Sequence, residues 1–160
     1  MTKPIATYLH DHLSGASYAV DLLDGLREQY AGQPLGEFAT RLQKEVRADK
    51  EILHKIAQQF GSASSELKEG AAWLSEKLSR MKLSHNDPMG LGTFEALEFL
   101  ALGIHGKLSL WRALSEISPQ VPDLAQFDLA TLIERAQQQE EAVEEFRLVA
   151  AKHALVTQPA

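Results

Sequence analysis

The sequence predicts an all-α fold, a four-helix bundle, and three observations support this prediction. Apolar residues recur at alternating steps of three and four residues along four long segments, as in helices with one buried face. Clusters of glycine and proline separate these segments. No segment shows the apolar–polar alternation that is typical of a strand. The length of 160 residues is that of one domain, so we expect residues 1–160 to form a single bundle domain.

The first two helices are predicted at about residues 7–30 and 35–60. The apolar stripe of the first helix consists of Leu9, Leu13, Ala16, Val20, Leu23 and Tyr30. The stretch "AGQPLG" ends it, because Gly32 can adopt a left-handed conformation and Pro34 cannot continue a helix. The second helix has an inner face of Phe38, Leu42, Val46, Leu53, Ile56 and Phe60. A connection this short predicts that the two helices are antiparallel neighbours.

A shorter helix is predicted at about residues 64–83, between "SASS" and "SHNDPMGLG". The third long helix is predicted at about residues 93–117, with Thr93 as its N-cap. The last is predicted at about residues 129–153, after an irregular linker, "SPQVPDLAQFD". The connection between the second and third long helices is long enough to run back along the bundle. We therefore expect one long crossover connection that carries the additional helix.

The stretch "FEALEFLALGIHGKLSLWRAL", Phe94 to Leu114, is apolar on nearly every side. It is not expected to cross a membrane, because an ionised glutamate at the centre of a span costs several kcal/mol and two glutamates and a lysine interrupt the stretch. A helix that is apolar all round must be covered on two sides, and the crossover segment from Trp73 to Met81 is the expected cover. Gly103 and Gly106 would then allow a close backbone approach.

Composition excludes several classes of partner. The net charge of −6 argues against nucleic acid and against an anionic membrane surface as partners. The chain has no basic face that could neutralise their negative charges and release the bound counterions. There is no cysteine, which excludes disulfides, thiolate nucleophiles and zinc–thiolate sites and fits a reducing compartment. The opening residues "MTKPIATYLHDH" lack the apolar core of a signal peptide. These features predict a cytoplasmic protein.

Eight polar residues on the predicted helices are candidates for a functional or structural role: Asp11, His12, Glu45, Asp49, Glu98, His105, Lys107 and Glu140. Asp49 is the most informative, because it occupies a position in the apolar stripe of the second helix. A lone buried carboxylate is very costly, so Asp49 is expected to be paired. Lys107 and His12 are the expected counter-groups.

Two interpretations of these residues compete. In the favoured one, they form a structural polar network that fixes the register of the helices, with no catalytic residue, cofactor or metal ligand: Asp11, His12, Glu45, Asp49, Glu98, His105 and Lys107. In the alternative, iron or manganese is held by Asp11, His12, Glu45, Asp49, Glu98 and Glu140. The alternative is weakened because the only Glu-x-x-His pair, Glu51–His54, is predicted to lie on an outer or flanking face. A small-ligand pocket between the helices is a third interpretation.

Four stretches of the sequence resemble the ferritin-like superfamily, and within it a group of uncharacterised bacterial four-helix bundles: "YLHDHLSGA", "EVRADKEIL", "AAWLSEKLSRMKL" and "FEALEFLALGIHGKLSLWRAL". The resemblance implies a ferritin-like bundle. Members of this superfamily are di-iron or di-manganese proteins, so the resemblance also implies that chemistry. The ligand pattern of this chain departs from the family's pattern. The expected function is therefore that of a structural, protein-interaction or stress-related accessory, with a homo-oligomer or another protein as partner. The alternative is a divergent di-iron or di-manganese carboxylate protein, an oxidoreductase or a metal-handling protein.

Overall fold

The computed structural model describes residues 4–61 and 90–156. Four long α-helices make up most of this part of the chain: α1 (Pro4–Gln29), α2 (Pro34–Gln59), α3 (Leu91–Ile117) and α4 (Leu129–Leu155). No strand occurs within the described ranges. The predicted all-α class is thus confirmed, and the four long helices are found within a few residues of their predicted bounds. The helix predicted at about residues 64–83 lies outside the described residues.

The turn between α1 and α2 forms as its glycine and proline predict. Gly32 has a φ of 76°, the left-handed conformation that ends a helix without strain only in glycine. Pro34 is the first residue of α2, where a missing N–H costs nothing. Gly36 is buried in the first turn of α2, and a Cβ at this position would overlap the carbonyl oxygen of Tyr30. The hairpin therefore depends on the absence of a side chain at residue 36.

The start of α3 differs from the prediction that Thr93 is its N-cap. The N-cap is Gly90, in a left-handed conformation with a φ of 70°, and the helix begins at Leu91. Thr93 is the third residue of α3, and its hydroxyl is hydrogen-bonded to the hydroxyl of Tyr30 at 2.5 Å. This hydrogen bond joins the N-terminal end of α3 to the C-terminal end of α1.

The linker before α4 is more regular than predicted. It contains two single turns of 3₁₀ helix, Ser118–Gln120 and Pro122–Leu124, each with a proline in its first two positions. Leu124 is fully buried, so the linker closes one end of the core. Asp128 then caps α4, accepting a hydrogen bond of 3.0 Å from the backbone N–H of Thr131.

The directions of the helices follow from contacts at their ends. The bond between Tyr30 and Thr93 places the end of α1 beside the start of α3. A bond of 3.0 Å from Gln126 to Gln59 places the end of α2 beside the start of α4. Both helix pairs are therefore antiparallel, as are the pairs joined by short connections. The order is up-down-down-up, and the described segments that end after α2 and begin before α3 terminate at opposite ends of the bundle.

The buried apolar residues form two clusters, one in each half of the bundle. The Trp111 cluster contains Leu9, Leu13, Leu53, Ile56, Ala57, Leu108, Leu110, Trp111, Leu114, Leu124, Leu129, Leu132 and Ala136. The Phe38 cluster contains Leu22, Leu23, Leu26, Phe38, Ala39, Leu42, Val46, Ala96, Leu97, Leu100, Ile104 and Val143. Every long helix contributes to both clusters, so each helix is held along most of its length.

Helix α3 buries more than one stripe, as predicted. Leu100 and Leu110 lie off the stripe formed by Leu97, Ile104, Leu108 and Trp111 and are buried, but Phe99 and Leu102 are exposed. The predicted cover by the segment from Trp73 to Met81 lies outside the described residues. Among the described residues, no heavy atom lies within 4 Å of an ideal Cβ on Gly103 or Gly106. No described helix, α3 included, combines the length and the apolar character needed to cross a membrane.

We expect Gly36→Ala to destabilise the protein by about 1–3 kcal/mol, because the new methyl group must displace the Tyr30 carbonyl and with it the turn. Gly15→Ala is the matched control, because no described atom lies within 4 Å of an ideal Cβ at this position in α1. The control should be neutral or stabilising by up to about 1 kcal/mol, as expected from helix propensity. Urea denaturation of both variants gives the two free energies of unfolding. Equal stability of the two variants would contradict this account of the turn.

Candidate functional site

The most unusual polar group of the described bundle is the carboxylate of Asp49, which has a side chain only 2% exposed. Its Oδ2 accepts a hydrogen bond of 2.7 Å from the ammonium of Lys107 on α3. Its Oδ1 accepts one of 2.7 Å from the guanidinium of Arg135 on α4. Both oxygens of a single buried carboxylate on α2 are therefore bound by cations from two other helices.

Gln139, also buried, completes this arrangement from α4. Its amide nitrogen donates to Glu45 Oε2 at 2.9 Å and, more weakly, to Asp49 Oδ2 at 3.4 Å. Its amide oxygen accepts a hydrogen bond from the ammonium of Lys107. We refer to Glu45, Asp49, Lys107, Arg135 and Gln139 as the Asp49 cluster. It joins α2, α3 and α4 through side chains that satisfy one another.

The Asp49 cluster lies between the two apolar clusters. On α2, Asp49 follows Val46 of the Phe38 cluster and precedes Leu53 of the Trp111 cluster. On α3, Lys107 is flanked in the same way by Ile104 and Leu108. The bundle thus has an apolar core that is interrupted near its middle by one polar layer. A helix that slipped along its neighbours would place these charges among leucines, so we expect the layer to fix the register of the helices.

Burial lowers the pKa of Lys107, and the negative charges of Asp49 and Glu45 partly offset this effect. The side chain is 15% exposed, so the ammonium is largely removed from water. Its charged form therefore depends on the carboxylate of Asp49. In return, Lys107 and Arg135 provide the positive charge that a buried carboxylate requires.

The other candidate residues lie apart from this layer. His105 and Glu140 form a pair at 2.8 Å on the outer surface, with side chains 62% and 37% exposed. Glu98 is exposed, and so is Asp11. His12 is half-buried on α1, where its ring contacts Tyr8 edge to face. The structure therefore brings Glu45, Asp49 and Lys107 into one cluster. Asp11 and His12 line the same opening between α1, α2 and α3 as Asp49 and Lys107, and Glu98, His105 and Glu140 lie elsewhere.

Two members of the Asp49 cluster, Arg135 and Gln139, were not among the residues that the sequence singled out. Gln139 had a detectable signal, because it falls three residues after Ala136 and four before Val143, in the buried stripe of α4. A glutamine in such a position needs hydrogen-bonding partners, as Asp49 does. Arg135 lies one turn before Gln139 and has no comparable signal, since it is partly exposed and only its guanidinium reaches Asp49.

The described residues do not fit a dimetal centre. Among residues 4–61 and 90–156, no three His, Asp or Glu side chains are placed so that they could hold a metal ion. Asp49, the one deeply buried carboxylate of the alternative ligand set, already has a cation on each oxygen. Glu51 and His54, the Glu-x-x-His pair, are exposed. A divalent ion at Asp49 would be repelled by Lys107 and Arg135.

We expect Asp49→Ala to destabilise the protein by about 3–5 kcal/mol, because it leaves two cations beside an apolar core without their anion. The matched control is Glu140→Ala, which breaks a pair that is exposed to water and should cost less than about 1 kcal/mol. Urea denaturation at neutral pH measures both values. A loss at Asp49 no larger than the loss at Glu140 would show that the layer does not hold the helices together.

His12 should give the protein a measurable pH dependence. Burial lowers its pKa below the ordinary value of 6.5, and Asp11 only partly opposes this shift. The unfolded chain then binds more protons at this residue than the folded one, so the contribution of His12 to stability rises with pH through 6.5 and levels off once the unfolded chain has lost the proton. The free energy of unfolding of the wild type should therefore increase more between about pH 5 and about pH 7.5 than that of His12→Gln. Parallel pH profiles of the two proteins would refute the assignment.

No family model, no curated protein and no solved structure matches this chain. The ferritin-like assignment therefore stays a prediction that rests on the sequence resemblance.

Proposed function

We propose that this chain is a metal-free bundle of the ferritin-like type, which serves as a structural or protein-interaction accessory, stress-related or otherwise. One observation carries the proposal. Both oxygens of Asp49 are bound by cations that the protein itself supplies, Lys107 and Arg135. In this proposal the Asp49 cluster takes the place in the bundle core that a dimetal centre takes in carboxylate proteins of this architecture. Its role is to hold three helices together.

The order of the helices supports the ferritin-like part of the proposal. In the up-down-down-up arrangement, the chain has to pass from one end of the bundle to the other between α2 and α3. A bundle with one such long crossover is the arrangement of ferritin-like folds. The additional helix in that crossover remains part of the proposal.

The surface and the composition of the chain support two further parts of the proposal, contact with another protein chain and a cytoplasmic location. Four large apolar residues on and beside the last two turns of α4 are about half exposed or more: Leu148, Val149, Leu155 and Val156. Apolar surface of this kind is typical of sites of protein contact, whether with a second copy or with another protein. The absence of cysteine supports a reducing compartment, which we propose to be the cytoplasm.

The rival function, a di-iron or di-manganese carboxylate protein, makes a different prediction for metal content. We expect the protein purified from cells supplied with iron and manganese to contain far less than one equivalent of either metal. Addition of EDTA should leave its melting temperature unchanged, because no metal bound to the folded state is removed. Elemental analysis and thermal unfolding followed by circular dichroism measure the two quantities.

Asp49→Asn is the control variant for this experiment, because it keeps the shape of the side chain and removes its charge. If the wild type held metal in stoichiometric amount and this variant, still folded, did not, the dimetal function would replace the proposed one. Metal content that is equally low in both proteins agrees with a structural role for Asp49.

A further inference from the structure

The C-terminal half of α4 has an exposed apolar surface on the side that faces away from the bundle. Four of the five most exposed large apolar side chains among the described residues lie there, and they are 49% to 60% exposed: Leu148, Val149, Leu155 and Val156. The buried residues of α4 lie on the opposite side of the helix, so the described bundle does not cover this surface. We refer to it as the α4 outer face.

The crossover segment is not expected to cover the α4 outer face. Its expected place is beside Gly103 and Gly106 on α3, at the opening between α1, α2 and α3. No described residue of α4 lines that opening. A segment packed there leaves the outer side of α4 exposed to water, so a cover for the α4 outer face is expected from another chain.

The charges on the α4 outer face change sign along the helix. Glu141 and Glu145 lie two turns and one turn before Leu148, and Lys152 lies one turn after it, so all four residues share one side of α4. The three charged side chains are exposed. Among the described residues, the charges of Glu145 and Lys152 have no partner within their own chain. They are separated by about 10 Å along the helix axis, too far to pair with each other.

This pattern is complementary to itself when two copies of the helix lie antiparallel. The midpoint between Leu148 and Val149 is also the midpoint between Glu145 and Lys152. A two-fold axis at this point places Glu145 of each copy beside Lys152 of the other, and symmetry makes this pair occur twice around an apolar centre. A parallel pair of helices would instead bring like charges together, which is unfavourable.

We propose that the chain forms a homodimer through the α4 outer face, with the two α4 helices antiparallel about an axis beside Leu148 and Val149. The inference rests on the protein-interaction part of the proposed function and names the partner, a second copy of this chain. An interface of standard size buries about 800 Å² on each partner, more than four apolar side chains provide. Each chain also carries a net charge of −6, so two copies repel each other. We therefore expect a weak dimer, with a dissociation constant on the order of 10 μM.

Sedimentation equilibrium of the full chain between about 1 μM and about 300 μM tests the proposal, and the average mass should rise from one chain to two. Leu148→Glu places a charge at the apolar centre and should weaken dimerisation at least about tenfold. Ala130→Glu is the matched control, because it adds the same charge at an exposed position near the other end of α4 and should change nothing. Circular dichroism checks that both variants fold, and Val149→Glu replaces Leu148→Glu if the latter does not. A chain that stays monomeric, or a dimer that the folded variant does not weaken, would overturn the proposal.

Exchange of the charges tests the antiparallel arrangement. Glu145→Lys and Lys152→Glu each bring like charges together at both pairs, so each variant alone should dimerise about tenfold more weakly than the wild type. An equimolar mixture of the two should form a heterodimer at least as tight as the wild-type dimer, because opposite charges then meet at both pairs. A mixture that associates no better than its components would overturn this arrangement. Failure of the dimer is distinct from failure of the metal-free function, which would appear as bound metal.

Discussion

The described bundle depends on one buried carboxylate and on the need to neutralise it. An isolated charge inside an apolar core is among the most costly features that a protein can contain. Asp49 is tolerated because Lys107 and Arg135 reach it from two other helices. Gln139 donates a further hydrogen bond to the same carboxylate. These contacts require one relative position of the three helices. We therefore infer that register is set by hydrogen-bond geometry in the middle of the bundle and by apolar packing on either side of it.

From this division we expect the layer to contribute more to the uniqueness of the fold than to its overall stability. The two apolar clusters supply the favourable free energy, since apolar burial scales with area and the layer buries mostly polar atoms. A pair of buried charges roughly balances its own desolvation, and a well-packed apolar substitute can be as stable. A single missing partner leaves the others uncompensated, however. The layer thus selects one arrangement of helices and penalises every other.

The helical class, the approximate bounds of the four long helices and the buried position of Asp49 could be predicted from local sequence, because periodicity and turn residues act over a few neighbours. Which cations meet that carboxylate depends on the tertiary structure. It drew Arg135 and Gln139 into the cluster, left Asp11, Glu98 and His105 outside it, and gave the Thr93 hydroxyl to Tyr30. These outcomes depend on the rotation and offset of one helix against another and on the reach of long side chains. None of these can be derived from the apolar periodicity of a single helix.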